Sequence, residues 1–155
     1  EESILELKNT MIELNRNASE AMIEAGVSSC TDITGFGLLG HLLEMMNASN
    51  TSAKIEMHKI PLLNNVLELS SSGVIPGGTK DNYEHTLNDV KYSKEISELR
   101  KLILNDAQTS GGLLISVPES QHKSLLKLLQ ERDVQTVAVI GRVTVSKDFR
   151  IIVEK

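Results

Sequence analysis

The sequence has no tryptophan, only two tyrosines and two phenylalanines, and a single cysteine. Single-stranded nucleic-acid sites stack bases on aromatic side chains, and aromatics at 3% of 155 residues leave few such platforms. Basic residues are also in deficit, 16 Lys and Arg against 21 Asp and Glu. A net charge of −5 with no basic cluster argues against a nucleic-acid partner. A lone cysteine excludes an intrachain disulfide and fits a reducing, cytoplasmic setting. No apolar run approaches the roughly 20 residues that span a bilayer. Nor does the chain start with a basic segment followed by an apolar one, so no membrane association is expected.

What is present is the composition of a globular protein, 40% hydrophobic and 24% charged. The length suits one domain, residues 1–155, with a core that needs no staples. The first residue is Glu1 rather than Met, which leaves room for a trimmed chain or for one domain of something longer.

Hydrophobic spacing sets the expected elements. Ile4, Leu7, Met11, Leu14, Ala18, Met22 and Ala25 form one helical stripe over residues 3–25, read as core packing, with Gly26 as its stop. Leu38 to Met46 read as a short helix. Ala53, Ile55 and Met57 alternate with polar residues as in a half-buried strand. Pro61 is expected to open a helix over 62–69, and Pro76 with paired glycines makes 73–82 a shaped loop. Residues 81–90 are ambiguous. Ser93 is read as the N-cap of a helix over 93–104 with Ile96, Leu99 and Ile103 on one side. Residues 112–117 read as a buried strand, and Pro118 opens a helix carrying Leu125, Leu126, Leu128 and Leu129. Residues 136–140 and 142–145 are β-rich on either side of Gly141, and 149–153 is a last strand after a Lys147-Asp148 turn. Strands alternating with helices give an α+β domain, a mixed sheet packed with helices.

The chemistry gathers in Cys30-Thr31-Asp32-Ile33-Thr34-Gly35-Phe36-Gly37-Leu38-Leu39-Gly40-His41. A carboxylate and hydroxyls precede spaced glycines and a helical pattern. That order suits polyphosphate: N–H groups at a helix start attract anions, and an adjacent Asp holds the accompanying metal. On these grounds alone Asp32 is equally well a helix cap. Asp106 to Gly112 repeats the theme, and its Asp106, Thr109 and Ser110 either bind an anion or shape a turn. Gly35, Gly37 and Gly40, with Glu56 about twenty residues on, also match a dinucleotide fingerprint. Polar residues stand where its apolar strand belongs, so that reading is set second. Cys30 has no basic neighbour to lower its pKa and reads as a small packed thiol. His41, His58, His85 and His122 show no ligand spacing, so no zinc site is expected.

Three segments, 30–41, Ile75 to Thr79 with Asn82, and Asn105 to Leu114, resemble the selenide, water dikinase (selenophosphate synthetase) family, in order and along the whole chain. That family belongs to a wider group containing aminoimidazole ribonucleotide synthetase. The resemblance implies a C-terminal domain of the aminoimidazole ribonucleotide synthetase-like type, whose partner is its own N-terminal domain. It implies homodimers formed mainly through the N-terminal domains. It also implies a reaction in which ATP, selenide and water give selenophosphate, AMP and orthophosphate with Mg2+. The product serves selenocysteine synthesis and tRNA modification. By the same resemblance Asp32 is a magnesium ligand, and Thr31, Thr34, Gly35 and Gly37 form a phosphate loop. The family's nucleophilic Cys or selenocysteine, its Lys, its ATP segment and its other metal-binding aspartates match nothing here. No catalytic residue is therefore assigned in these residues, and the chain alone is expected to be inactive. Two other readings stay open: a small dinucleotide-binding domain on Gly35, Gly37 and Gly40, and a non-catalytic binding domain of the same superfamily.

Overall fold

The computed structural model describes residues 2–145 and 148–155, with side chains from Ile4 onward. Its larger sheet is built from β2 (Ser52–Glu56), β3 (Val90–Tyr92), β5 (Gly141–Thr144) and β6 (Ile151–Glu154) in the order β3-β6-β2-β5. β6 runs parallel to both β3 and β2, whereas β5 pairs antiparallel with β2, so the sheet is mixed as expected. Gly141 permits the close approach of β5: a Cβ there would strike the Lys54 carbonyl.

The main helix α3 (Gly37–Ser49) lies on this sheet because its three- and four-residue spacing puts Leu39, Leu42, Leu43 and Met46 on one stripe. These pack with Ala53, Ile55, Val90, Ile151 and Val153 from the strands and with Leu104 of α6 (Glu98–Leu104). Asn50 ends α3 in the left-handed region at φ 51°, which Asn tolerates.

A second layer is smaller. β1 (Ser29–Asp32) pairs antiparallel with β4 (Leu113–Ser116), forming a two-stranded ribbon. α2 (Arg16–Ala25) and α7 (Glu119–Glu131) bury Ala21, Ala25, Leu125 and Leu129 together beside Ile115 and Val117. Gly26 caps α2 with φ 74°, the stop read from the sequence.

Several expectations are corrected. The 3–25 stripe is two helices, α1 (Glu2–Ile12) and α2, broken where Asn15 takes the N-cap position. Its first half is not core: Ile4 is 58% exposed and Leu14 79%. Periodicity shows that a face is apolar, not what it faces. The helix expected from Pro61 begins later, as α4 (Val66–Ser71), after Asn65 at φ 64°. The expected loop 73–82 contains the first half of α5 (Gly77–Thr86). Pro76 and the glycines stand at its start, where a first turn lacks intrahelical N–H partners anyway. α6 is capped by Ser97, whose hydroxyl accepts from the Arg100 amide at 3.4 Å, rather than by Ser93. β4 is half-buried, not buried. Residues 136–140 form no strand, though the Ile140 carbonyl accepts from the Glu56 amide at 2.8 Å. β1 carries no strand signal in the sequence, its residues being small and polar. Lys147 of the expected turn lies outside the described residues.

Candidate phosphate and metal site

Past Asp32 the ribbon continues without strand geometry. The Ile33 amide donates to the Gly112 carbonyl and the Gly111 amide donates to the Ile33 carbonyl, both at 2.9 Å. These bonds lay the segment 105–112 beside the segment 33–37. The Gln108 amide adds a bond to the Thr34 carbonyl at 3.2 Å, and the Gly37 amide closes a turn onto the same carbonyl at 2.9 Å. Gly37 then enters α3 at φ 69°, with its Cα against backbone: a Cβ would lie 2.7 Å from the Asp106 carbonyl oxygen. A Cβ at Gly111 would lie 2.8 Å from the Ile33 side chain. Close approach requires both glycines, and at Gly37 the positive φ adds to the requirement.

The first turns of α5 complete the junction. The Thr79 hydroxyl donates to the Asp106 carboxylate at 2.7 Å and accepts from the Ala107 amide at 3.3 Å. One turn on, the Asn82 amide donates to the carbonyls of Gly35 (2.8 Å) and Asn105 (3.1 Å). Behind them Asn105 is fully buried. It accepts from the Thr86 hydroxyl at 2.9 Å and donates to the Tyr92 hydroxyl (3.1 Å) and the Lys101 carbonyl (2.8 Å). Burial drives the Tyr92 phenol up to about 12, so it stays protonated. These buried polar side chains are thereby paired, which rigidifies the floor of the site.

Each residue singled out in the sequence can now be placed. Asp32 is exposed at the end of β1, and its carboxylate has no hydrogen-bond or ion-pair partner among the described residues. It is not a helix cap: the N-cap position of α3 is Phe36, with no side-chain cap bond. Thr31 is half-buried, its hydroxyl 3.3 Å from the Asp32 carbonyl. Thr34 is half-buried and bonded to His41 at 3.1 Å. Gly35 is exposed and Gly37 buried. Thr34, Gly35 and Gly37 are thus held in one junction with the other two segments. Cys30 is a poor nucleophile: burial first, then the Asp32 charge, push its thiol up.

The sequence alone assigns no role to Thr79, Asn82, Asn105 or His41. The signal for the first two is their spacing of three residues, one helical turn, at the start of α5. Asn105 and His41 have no such spacing, and only their places in the segments 105–114 and 30–41 that carry the family resemblance point to them.

The dinucleotide reading loses its structural basis. β1 is antiparallel to its neighbour and stands in a different sheet from Glu56, so no βαβ unit joins the glycines to that carboxylate. Glu56 is instead paired with Lys59 at 2.8 Å.

Among the described residues no three His, Cys, Asp or Glu side chains gather as a metal cage. The Asp106 carboxylate is engaged by Thr79. The donor set fits magnesium only in part: one exposed carboxylate beside a glycine loop. That fit is chemically sensible for an ion that takes few carboxylates and fills its shell with phosphate oxygens and water.

A family profile described as AIR synthase related protein, C-terminal domain, matches residues 2–154. The chain belongs to that family. The α+β expectation and its C-terminal domain type are met. The selenide, water dikinase of Myxococcus xanthus is 44% identical over 139 residues, 88% of this chain and 39% of that protein. That of Carboxydothermus hydrogenoformans is 41% identical over all 155 residues, which are 44% of it. The chain thus spans about two fifths of the length of these curated relatives. A crystal structure of thiamine-monophosphate kinase from Stenotrophomonas maltophilia K279a superposes with a TM-score of 0.51 at 20% identity. It covers 83% of this chain and 32% of that one, a likeness of fold alone. No helix among the described residues is long and apolar enough to cross a membrane.

Proposed function

We propose that this family member is the C-terminal domain of a selenide, water dikinase, residues 1–155 forming one domain that works with a preceding ATP-binding one. The observation that carries the reading is the junction itself. Asn82 and the seat of Gly37 on Asn105 and Asp106 hold the segments 33–37, 77–82 and 105–112 in one place. An exposed carboxylate stands next to it, at the approach to the α3 N-terminus. Helix dipole and loop N–H groups favour phosphate there. Asp32 contributes one carboxylate to Mg2+, with remaining ligands from ATP, water and the other domain. Bound magnesium supplies neutralisation of phosphate charge. Thr31, Thr34, Gly35 and Gly37 shape the loop around it. The substrates in this reading are ATP and selenide, the products selenophosphate, AMP and orthophosphate, and the setting is cytoplasmic.

The apolar face of α1 supports a covering domain. Ile4, Leu5, Leu7, Met11 and Ile12 are all exposed, on a helix with Leu14 directly beyond it. Patches of that kind mark interaction surfaces. A homodimer formed mainly through the preceding domains belongs to the same reading, and light scattering on the protein at natural length checks it.

Asp32→Asn in the protein at natural length is the decisive experiment. Magnesium-dependent, selenide-dependent ATP cleavage should fall by roughly a hundredfold, the scale of one lost charge-stabilising group. The fold should be unchanged, since the exposed carboxylate makes no hydrogen bond or ion pair among the described residues. Wild-type activity in that variant would refute the assignment of Asp32.

A further inference from the structure

His41 stands on the first turns of α3 with 7% of its surface exposed, and its ring is held on three sides. Nδ1 lies 3.1 Å from the Glu44 carboxylate, Nε2 lies 3.1 Å from the Thr34 hydroxyl, and Phe36 meets the ring edge-on with centroids 5.7 Å apart. A carboxylate only accepts hydrogen bonds, so Nδ1 is the nitrogen that bears a proton. In the neutral ring Nε2 is then bare, and the hydroxyl must donate to it.

We infer that His41 is a positioning residue, locked by Glu44 as the Nδ1–H tautomer, that takes the Thr34 hydroxyl's hydrogen bond and leaves that oxygen presenting only lone pairs to the loop. A hydroxyl has one proton. Committed to His41, Thr34 cannot donate to a phosphate oxygen, and the loop reads phosphate through backbone N–H groups instead. The Thr34 oxygen is left to accept from water or from an N–H. The chain Glu44–His41–Thr34 therefore sets the polarity of one wall of the loop from a helix behind it. The consequence for phosphate rests on the proposed function; the tautomer and the direction of the Thr34 bond do not.

Long-range 1H–15N spectra of the histidine rings, in the protein at its natural length and at neutral pH, test this. His41 should show a protonated Nδ1 and an unprotonated, hydrogen-bonded Nε2. Thr34→Val should move Nε2 toward the position of an unbonded bare nitrogen while Nδ1 stays, and Thr34→Ser should restore the wild-type pattern. An Nε2–H tautomer, an imidazolium, or an Nε2 unmoved in Thr34→Val would overturn the inference. The wild-type spectrum alone decides the tautomer if a variant fails to fold. Addition of Mg–ATP separates the two readings. A shift at the Gly35 amide with an unchanged His41 tautomer supports both. No amide shifts with the same tautomer would refute the phosphate loop while the inference stands.

Discussion

Asn82 and Gly35, 47 residues apart in sequence, are joined by a 2.8 Å hydrogen bond from the Asn82 side-chain amide to the Gly35 carbonyl. The same nitrogen spends its second proton on the Asn105 carbonyl at 3.1 Å. One side chain on α5 therefore ties the loop before α3 to the loop after α6. Loss of both bonds in Asn82→Ala should cost about 1–3 kcal/mol, because the backbone of a buried Asn105 is left short of a donor. Asn82→Asp should be worse, since a carboxylate faces two carbonyls with nothing to donate. Urea midpoints give the ranking, and an Ala variant less stable than the Asp variant would contradict it.

The glycines divide sharply. Gly37→Ala places a methyl group 2.7 Å from the Asp106 carbonyl oxygen at φ 69°. Left-handed strain and overpacking together predict a loss of about 2–5 kcal/mol. A methyl group at Gly35 would meet no atom within 4 Å, and φ there lies outside the left-handed region. Gly35→Ala should therefore change folding by less than about 0.5 kcal/mol. Thermal unfolding of both variants measures the contrast. A loss of nucleotide affinity in Gly35→Ala would then be an effect on binding and not on folding.

Alkaline unfolding should report Tyr92. Its phenol is neutral in the fold up to about 12, chiefly through burial, against an ordinary 10.0. The unfolded chain releases its proton first as pH rises. The stability this group contributes is thus complete below pH 10 and lost between pH 10 and about 12. Tyr83 shifts in the same direction, again mainly by burial. Tyr92→Phe should therefore flatten the alkaline fall in stability without abolishing it, as followed by urea titration across that range.

The α1 surface can be tested without reference to catalysis. Ile12 is 75% exposed and Leu14 79%. Replacing both by Lys should alter the stability of this 155-residue chain by no more than about 0.5 kcal/mol per site. In the protein at natural length the same pair should lower the melting temperature, because a covered apolar face would receive two charges. Equal melting temperatures there would remove the support this face gives to a covering domain.

The sequence is legible where the physics is local. Gly26 stops a helix, the Ala53–Ile55 alternation makes a strand, and the Leu125–Leu129 spacing makes α7. The glycine run at 35–40 marks the loop that the fold builds upon. Expectation and structure part where context ranks above propensity. Pro76-Gly77-Gly78 looks like a breaker in any window, yet at a helix start those residues cost little. Ser29 to Asp32 has no apolar pattern and is a strand only because β4 supplies the partner.

By itself, then, the sequence determined most of the helical and extended segments, the glycine loop with Asp32 at its edge, and the scarcity of aromatic side chains. The tertiary structure decided what those residues meet. It split the 3–25 stripe into a half packed beside α7 and an exposed one, ruled out capping by Asp32, and brought Thr79, Asn82 and Asn105 under the loop. The reason is physical. Periodicity and propensity act over a few neighbouring residues, whereas a close backbone approach such as Gly37 on Asp106 exists only once segments about 70 residues apart have packed.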